Sequence, residues 1–270
     1  MRCVYVDLDN TLLGRGASLL RDGAGEFSLR GVRALEACHR GGVEVVIYSG
    51  RRRAQVAEDA RLLGCSAFIF EVGCCLHLDG EDIWLTDGLV PGERSVFEQI
   101  TESGAPDVLL ERFAGRLEYH SPWAHDRDAT HLFRGEVDVA QANELLVERG
   151  LGGFVLADNG VIGRRADFRL DVDTVHGYHL LPAGASKTRA VAEHRRARAY
   201  AREDCIAVGD SREDLAAAEV VGTFWLVANG LAADPDIVNA LARHPNARVC
   251  EESHGAGVYE AVVRTLVERE

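Results

Sequence analysis

Lysine is almost missing from this 270-residue chain: among 30 Lys plus Arg residues, Lys187 is the one lysine. Arginine fills most solvated roles as well, so an Arg-biased chain keeps a lysine where a compact ammonium on a flexible stem does what a planar fork cannot. Other absences narrow the function. No stretch of about twenty apolar residues occurs, so a membrane-spanning helix is not expected. The net charge is −13 with no basic block, which disfavours nucleic acid and anionic membranes as partners. There is no G-x-x-x-x-G-K-[ST], which disfavours a P-loop kinase or ATPase, and the glycine pairs Gly14/Gly16 and Gly23/Gly25 do not extend to G-x-G-x-x-G. The 7 cysteines lack C-x-x-C spacing and the 10 histidines are scattered, so no zinc site is expected. An odd cysteine count inside apolar segments reads as reduced core thiols, Cys74-Cys75 included. With the first strand starting at Arg2, no signal peptide is expected, and the expected location is the cytoplasm.

What the chain does contain is a series of short apolar runs that end in polar residues. Cys3-Val4-Tyr5-Val6 reads as a buried parallel strand and stops at Asp7-Leu8-Asp9-Asn10-Thr11. On an extended chain Asp7 and Asp9 point the same way. They would then crowd one small volume past a strand end, where open α/β sheets bind ligands, and two like charges there call for a cation. Val43–Tyr48 is a second such run and ends in Ser49-Gly50-Arg51. A hydroxyl and a bare glycine backbone at a helix start can meet phosphate oxygens. Cys205-Ile206-Ala207-Val208 ends in Gly209-Asp210-Ser211-Arg212-Glu213-Asp214. Asp210 would complete a hard-oxygen cage suited to Mg²⁺, with Asp214 holding a metal-bound water. Lys187 follows the loop Pro182–Ser186 into a helix over Thr188–Arg198.

The periodicity predicts an α/β fold: a Rossmann-like, doubly wound parallel-sheet core with an inserted α+β cap. Strands and helices alternate from Arg2 to Phe70, with helices over 29–40 and 51–63. A hairpin with Asp79-Gly80 at its turn follows. Composition shifts at Gly88–Gly92. Helices are then expected over 93–103 and 139–149, strands around 117–119 and 130–134, and a hairpin about Asn159-Gly160. Strand–helix alternation returns at Ser186, with helices over 211–220, 234–243 and 257–268. The expected core is therefore 1–87 plus 182–270 and the expected cap 88–181, with a mobile loop between the first strand and first helix.

These four strand-end motifs in this order resemble the haloacid dehalogenase-type phosphatases, whose first motif reads Asp-x-Asp-x-Thr. The larger, second-type cap is similar to that of the sugar-phosphate and mannosyl-3-phosphoglycerate phosphatase subgroup. The resemblance implies Mg²⁺-dependent phosphomonoester hydrolysis through an aspartyl-phosphate. Asp7 is then the nucleophile and Asp9 the acid and base, while Lys187 neutralises the transferring phosphoryl group. Metal ligation falls to Asp7, the Asp9 carbonyl, Asp210 and Asp214. Asn10, Thr11, Ser49, Gly50 and Arg51 orient the phosphate. Two positions depart from the family pattern: Glu213 stands where Asn is usual, and Val72-Gly73 replaces Asn-Gly.

The expected partner is a small phosphorylated metabolite bound by a monomer or homodimer. A phosphomutase of the phosphomannomutase type and a non-catalytic phosphosugar-binding protein are the alternatives. The cap arginines Arg112, Arg116, Arg127, Arg134, Arg164 and Arg165 could take a second anionic group. Arg164-Arg165 lead this set, and His176 and Tyr178 are candidate sugar contacts.

Overall fold

The computed structural model describes residues 1–164 and 167–268. Its strands begin with β1 (Cys3–Val6), β2 (Glu44–Tyr48), β3 (Ala67–Phe70) and the hairpin β4 (Cys75–Leu78) and β5 (Glu81–Trp84). A second group follows: β6 (Leu117–Tyr119), β7 (His131–Gly135), β8 (Phe154–Val161) and β9 (His176–Pro182). The chain closes with β10 (Cys205–Gly209), β11 (Thr223–Leu226) and β12 (Ala247–Val249). Eight of these form one sheet, ordered β12-β11-β10-β1-β2-β3-β4-β5, and the middle four form another, β6-β7-β9-β8.

The large sheet is parallel from β12 to β3 and turns antiparallel at the β4–β5 hairpin. Continuous apolar strands are what a sheet buried on both faces requires. In β1 the side chains alternate: Val4 and Val6 join one core with Ile47 and Val208, Cys3 and Tyr5 the opposite core with Val46 and Ala207. Helices α1 (Arg30–Arg40) and α2 (Arg53–Leu63) follow the first two strands. α3 (Val96–Glu102), α4 (Ala105–Arg112) and α5 (Val139–Glu148) accompany the second sheet. α6 (Lys187–Ala197), α7 (Arg212–Leu215), α8 (Ala228–Ala233), α9 (Ile237–Leu241) and α10 (His254–Val267) complete the series. Ala34, Leu35 and Cys38 of α1 share one core with Val258, Ala261 and Val262 of α10, while Ala190 and Val191 of α6 cover the other face.

The fold class stands as expected, but several local expectations do not. Asn159-Gly160 is no hairpin turn. Both residues lie inside β8, where the pairing with β9 shifts register between Asp158 and Val161, and the glycine serves a bulge. Helix α4 and strand β12 were not anticipated, nor was α8. Gly104, at φ 77°, and Pro106 just inside α4 separate it from α3. The helix expected over 211–220 is α7 followed by a tighter turn over Ala216–Glu219, and that over 234–243 shrinks to α9. The loop after β1 is pinned by bridges between Gly14 and Ser18 and between Arg21 and Phe27.

One buried carboxylate ties the two sheets together. Glu71, just past β3, is fully buried, and it and Val72 adopt left-handed backbone angles (φ 47° and 62°). Its Oε1 accepts the Asp128 N–H at 2.7 Å, and its Oε2 accepts the Ala129 and Thr130 N–H groups at 3.1 and 2.6 Å. The Thr130 hydroxyl adds a fourth bond, to Oε2, at 2.9 Å. Gly73 follows, with φ 88°, and a side chain there would lie 2.1 Å from the Ser186 carbonyl oxygen. The Val72-Gly73 departure thus keeps a glycine where the backbone passes against the entry to α6.

Replacing Glu71 with Ala strands two buried N–H donors and a part-buried third, each worth about 1–3 kcal/mol when left unpaired. Glu71→Ala is expected to lower unfolding free energy by roughly 3 kcal/mol or more, read from the urea midpoint; a change under about 1 kcal/mol refutes the latch.

Candidate active site

Three strand ends of the large sheet converge at one point. β1 delivers Asp7, β2 delivers Ser49 and Gly50, and β10 delivers Asp210, with β1 lying between the other two strands. That is the switch point at which open α/β sheets bind ligands. Lys187 arrives from the side as the first residue of α6, whose N-cap Ser186 accepts the Arg189 N–H at 3.1 Å.

Lys187 is 3 % exposed. It donates to Asp214 Oδ1 at 2.7 Å and Asp7 Oδ1 at 3.0 Å, lies 3.3 Å from Glu213 Oε2, and sits 5.0 Å from the centre of the Tyr48 ring. Burial opposes its charge, but Asp214, Asp7 and Glu213 together hold it protonated well above the ordinary lysine range. Asp7 is raised well above the usual carboxylate range, by burial first and by Asp214 and Asp210 as well, with Lys187 pulling the other way. Burial, then the Asp214 charge, pushes Asp210 up to about 7. Burial also raises Glu213.

Asp7, Asp210 and Asp214 can bring one oxygen each to within 4.8 Å of one another. One ammonium cannot neutralise four carboxylates, and a hard-oxygen donor set with surplus negative charge fits a small divalent cation. The Asp214 carboxylate is already busy. Its Oδ2 accepts from the Ser211 hydroxyl at 2.7 Å and from the Asp210 and Ser211 N–H groups at 3.2 Å, which holds the loop carrying Asp210. A side chain on Gly209 would strike the Asp214 side chain at 2.3–2.7 Å. Thr11 Oγ1 donates to Asp210 Oδ1 at 3.0 Å, so it orients a carboxylate here.

Asp9 departs from the expectation that it shares a volume with Asp7. Its side chain is half exposed and forms a two-point pair with Arg51, at 2.7 Å to Nε and 2.6 Å to Nη2. The third Arg51 nitrogen reaches Asp59 at 2.8 Å. The Asp9 carboxylate thus lies outside the three-carboxylate group. The reason is a stronger local partner: a guanidinium fork matches a carboxylate at both oxygens.

A cavity of about 590 Å³ opens over these groups. Asp7, Asp9, Asn10, Ser49, Gly50, Arg51, Lys187, Asp210 and Asp214 all line it. Of the residues expected from the cap, His176, Tyr178 and Arg164 do not. His176 pairs with Asp158 at 2.9 Å and stacks on Tyr178, and it lines no part of the cavity. Tyr178 is buried, with its hydroxyl bound to the Val137 backbone. Arg164 is likewise absent from the cavity: it donates to the Val172 carbonyl and lies 5.0 Å from the Phe168 ring centre. Arg165 lies outside the described residues. Arg134 pairs with Glu118 at 2.7 Å and with Asp167. Arg127 is the one residue of that arginine set which the described structure brings to the cavity. Its Nη2 donates to the Gly50 carbonyl at 2.7 Å and its Nε to Thr130 Oγ1 at 2.8 Å. His179 of β9 and Asn159 of β8 also reach the wall. Nothing in the β9 sequence distinguishes His179 from His176; only strand pairing selects which one faces inward.

Known proteins resemble this chain in sequence and in fold. No family model matches the chain. A phosphoglycolate phosphatase of Methanoculleus marisnigri is 26 % identical over 97 % of this chain and 95 % of its own length. The sucrose-phosphatase of Synechocystis superposes with a TM-score of 0.67 and 17 % identity, covering 98 % of each chain. A haloacid dehalogenase-like hydrolase from Bacteroides thetaiotaomicron gives 0.61 and 17 %, covering 97 % of this chain and 98 % of its own. The chain is thus similar in sequence to phosphoglycolate phosphatases over nearly its whole length and shares the fold of haloacid dehalogenase-like hydrolases.

Lys187→Arg tests the centre of the site. A fork with donors in one plane cannot meet Asp7, Asp214 and Glu213 as the ammonium does, and small misplacement costs about 100-fold. We expect kcat/KM on a phosphomonoester to fall at least about 100-fold, near 2.7 kcal/mol, with the fold retained by circular dichroism. Near-wild-type kinetics would count against any role for the ammonium.

Proposed function

We propose that the chain is a Mg²⁺-dependent phosphomonoester hydrolase that acts on a small phosphorylated metabolite through an aspartyl-phosphate on Asp7. The observation that carries this reading is the Lys187 ammonium bonded to Asp7 within reach of Asp210 and Asp214. Residues 88–181 act as a cap over a core made of 1–87 and 182–270. Seven free cysteines, six of them buried, support a reducing, cytoplasmic setting. Among the described residues no helix is long and apolar enough to cross a membrane.

In the first step an Asp7 oxygen attacks phosphorus in line, and the bond to the leaving alkoxide breaks. Asp9 supplies the proton that the alkoxide takes up, and then removes one from the water that attacks the phosphoryl group on Asp7. Phosphate departs and the Asp7 carboxylate is restored. Because Arg51 holds both Asp9 oxygens, that pair must open for proton transfer. Lys187 offsets the charge that develops on the phosphoryl oxygens, while Ser49 and the Gly50 amide orient them. Asp7, Asp210 and Asp214 would hold the cation, which when bound lets an anionic carboxylate approach an anionic phosphate.

Asp7→Asn removes the attacking oxygen and is expected to leave less than about 1 % of wild-type activity and no acid-stable, base-labile phosphoenzyme. Activity well above that level places the nucleophile elsewhere.

Activity should vanish in excess chelator and return with Mg²⁺ but poorly with Ca²⁺, whose larger and looser oxygen shell suits bidentate carboxylates. Phosphate release unaffected by chelation refutes the metal assignment.

A further inference from the structure

Thr130 Oγ1 stands at a crossing of three hydrogen bonds, and their directions fix a proton on the cavity wall. It lies 2.9 Å from Glu71 Oε2, 2.8 Å from Arg127 Nε and 3.2 Å from His179 Nδ1. Glu71 already accepts three backbone N–H groups, so it acts as an acceptor toward Thr130 too. The single hydroxyl proton therefore points at Glu71; pointing it at His179 would face an oxygen lone pair against the carboxylate. Arg127 Nε can only donate. It takes one of the two Oγ1 lone pairs, and the other is left for an N–H from His179 Nδ1. A histidine that is neutral and protonated at Nδ1 carries a bare lone pair at Nε2. Burial holds His179 well below the ordinary histidine range, and the Arg127 and Lys187 charges act in the same direction.

That lone pair faces the active cavity. Nε2 lies 3.3 Å from the place a side chain on Gly50 would occupy, and 2 % of the residue is exposed. No protein group bonds to it among the described residues. Gly50 belongs to the strand end assigned above to the phosphate, so the leaving group of a bound ester passes close to His179.

We infer that His179 Nε2 accepts a hydrogen bond from a hydroxyl group near the phosphoester, so that the site selects hydroxylated leaving groups over carboxylated ones. This rests on the hydrolase reading above and narrows its substrate class. A carboxylate in the same place would set lone pair against lone pair. An alkyl group would leave a largely buried acceptor unpaired. The inference runs against the substrate named for the phosphoglycolate phosphatase relatives, which carries a carboxylate and no hydroxyl on its leaving group.

Three esters of one carbon skeleton test it: 2-hydroxyethyl phosphate, ethyl phosphate and phosphoglycolate, each assayed with the wild-type protein and Mg²⁺ by phosphate release. The expected result is a kcat/KM for 2-hydroxyethyl phosphate about tenfold or more above each of the others. In His179→Leu the ratio of hydroxyethyl to ethyl phosphate is expected to fall to about one. A wild-type ratio near one, a preference for phosphoglycolate, or a preference that survives His179→Leu overturns the inference while leaving the hydrolase intact. Release from none of the three esters, at any Mg²⁺ concentration, instead overturns the hydrolase reading and this inference with it. The wild-type comparison decides the matter even if the variant fails to fold.

Discussion

A buried ammonium among carboxylates is the constraint on which the site depends. Lys187 has Asp7, Asp214 and Glu213 within 3.3 Å and almost no water around it. A buried charge is tolerable only when paired, and here Asp7 and Asp214 are anchored separately. Asp7 sits at the end of β1 in the middle of the large sheet. Asp214 is held by two backbone N–H groups and a hydroxyl. Lys187 itself begins a helix capped by Ser186. Three elements distant in sequence must therefore arrive together before the charges balance, and a net negative surplus remains even then. The same surplus that burdens the folded state is of the sign that suits a divalent cation.

A second buried charge organises the wall opposite. Glu71 spends its oxygens on Asp128, Ala129 and Thr130, the segment that leads into β7. Thr130 in turn meets Arg127 and His179, and Arg127 reaches back to the Gly50 carbonyl. The residues that would bind the leaving group are thus tied by hydrogen bonds to those that would bind the phosphate. Charge at one end of this network sets the tautomer at the other. Glu71 and Val72 adopt left-handed angles at its root, strain that side-chain hydrogen bonds of this number can offset.

The polar groups of the second sheet divide by what they already hold. Arg134 and Arg164 are occupied by carboxylate or carbonyl groups away from the cavity, and His176 by Asp158. Arg127 faces the cavity with donors committed to protein oxygens. Glu213, at the position where the resemblance leads one to expect Asn, adds a carboxylate beside Lys187 and so deepens the negative field around Asp7. Each is a case of local partners taking up a side chain that a motif reading leaves free.

By itself the sequence determined the α/β class, the strand ends bearing Asp7, Ser49 and Asp210, and the singular position of Lys187. That information is local: a continuous apolar run followed by polar residues marks both a buried strand and its ligand-facing end. The hairpin at Asp79-Gly80 was legible for the same reason, since turn chemistry sits in adjacent residues. Only the tertiary structure decided that Asn159-Gly160 is a bulge within β8, that Asp9 turns to Arg51, and that His179 rather than His176 lines the cavity. Those outcomes depend on which strand pairs with which, in what register, and on which charged partner lies nearest in space. Neighbouring residues do not encode either, because a shift of one position along β9 exchanges the face that lines the cavity for the face that does not.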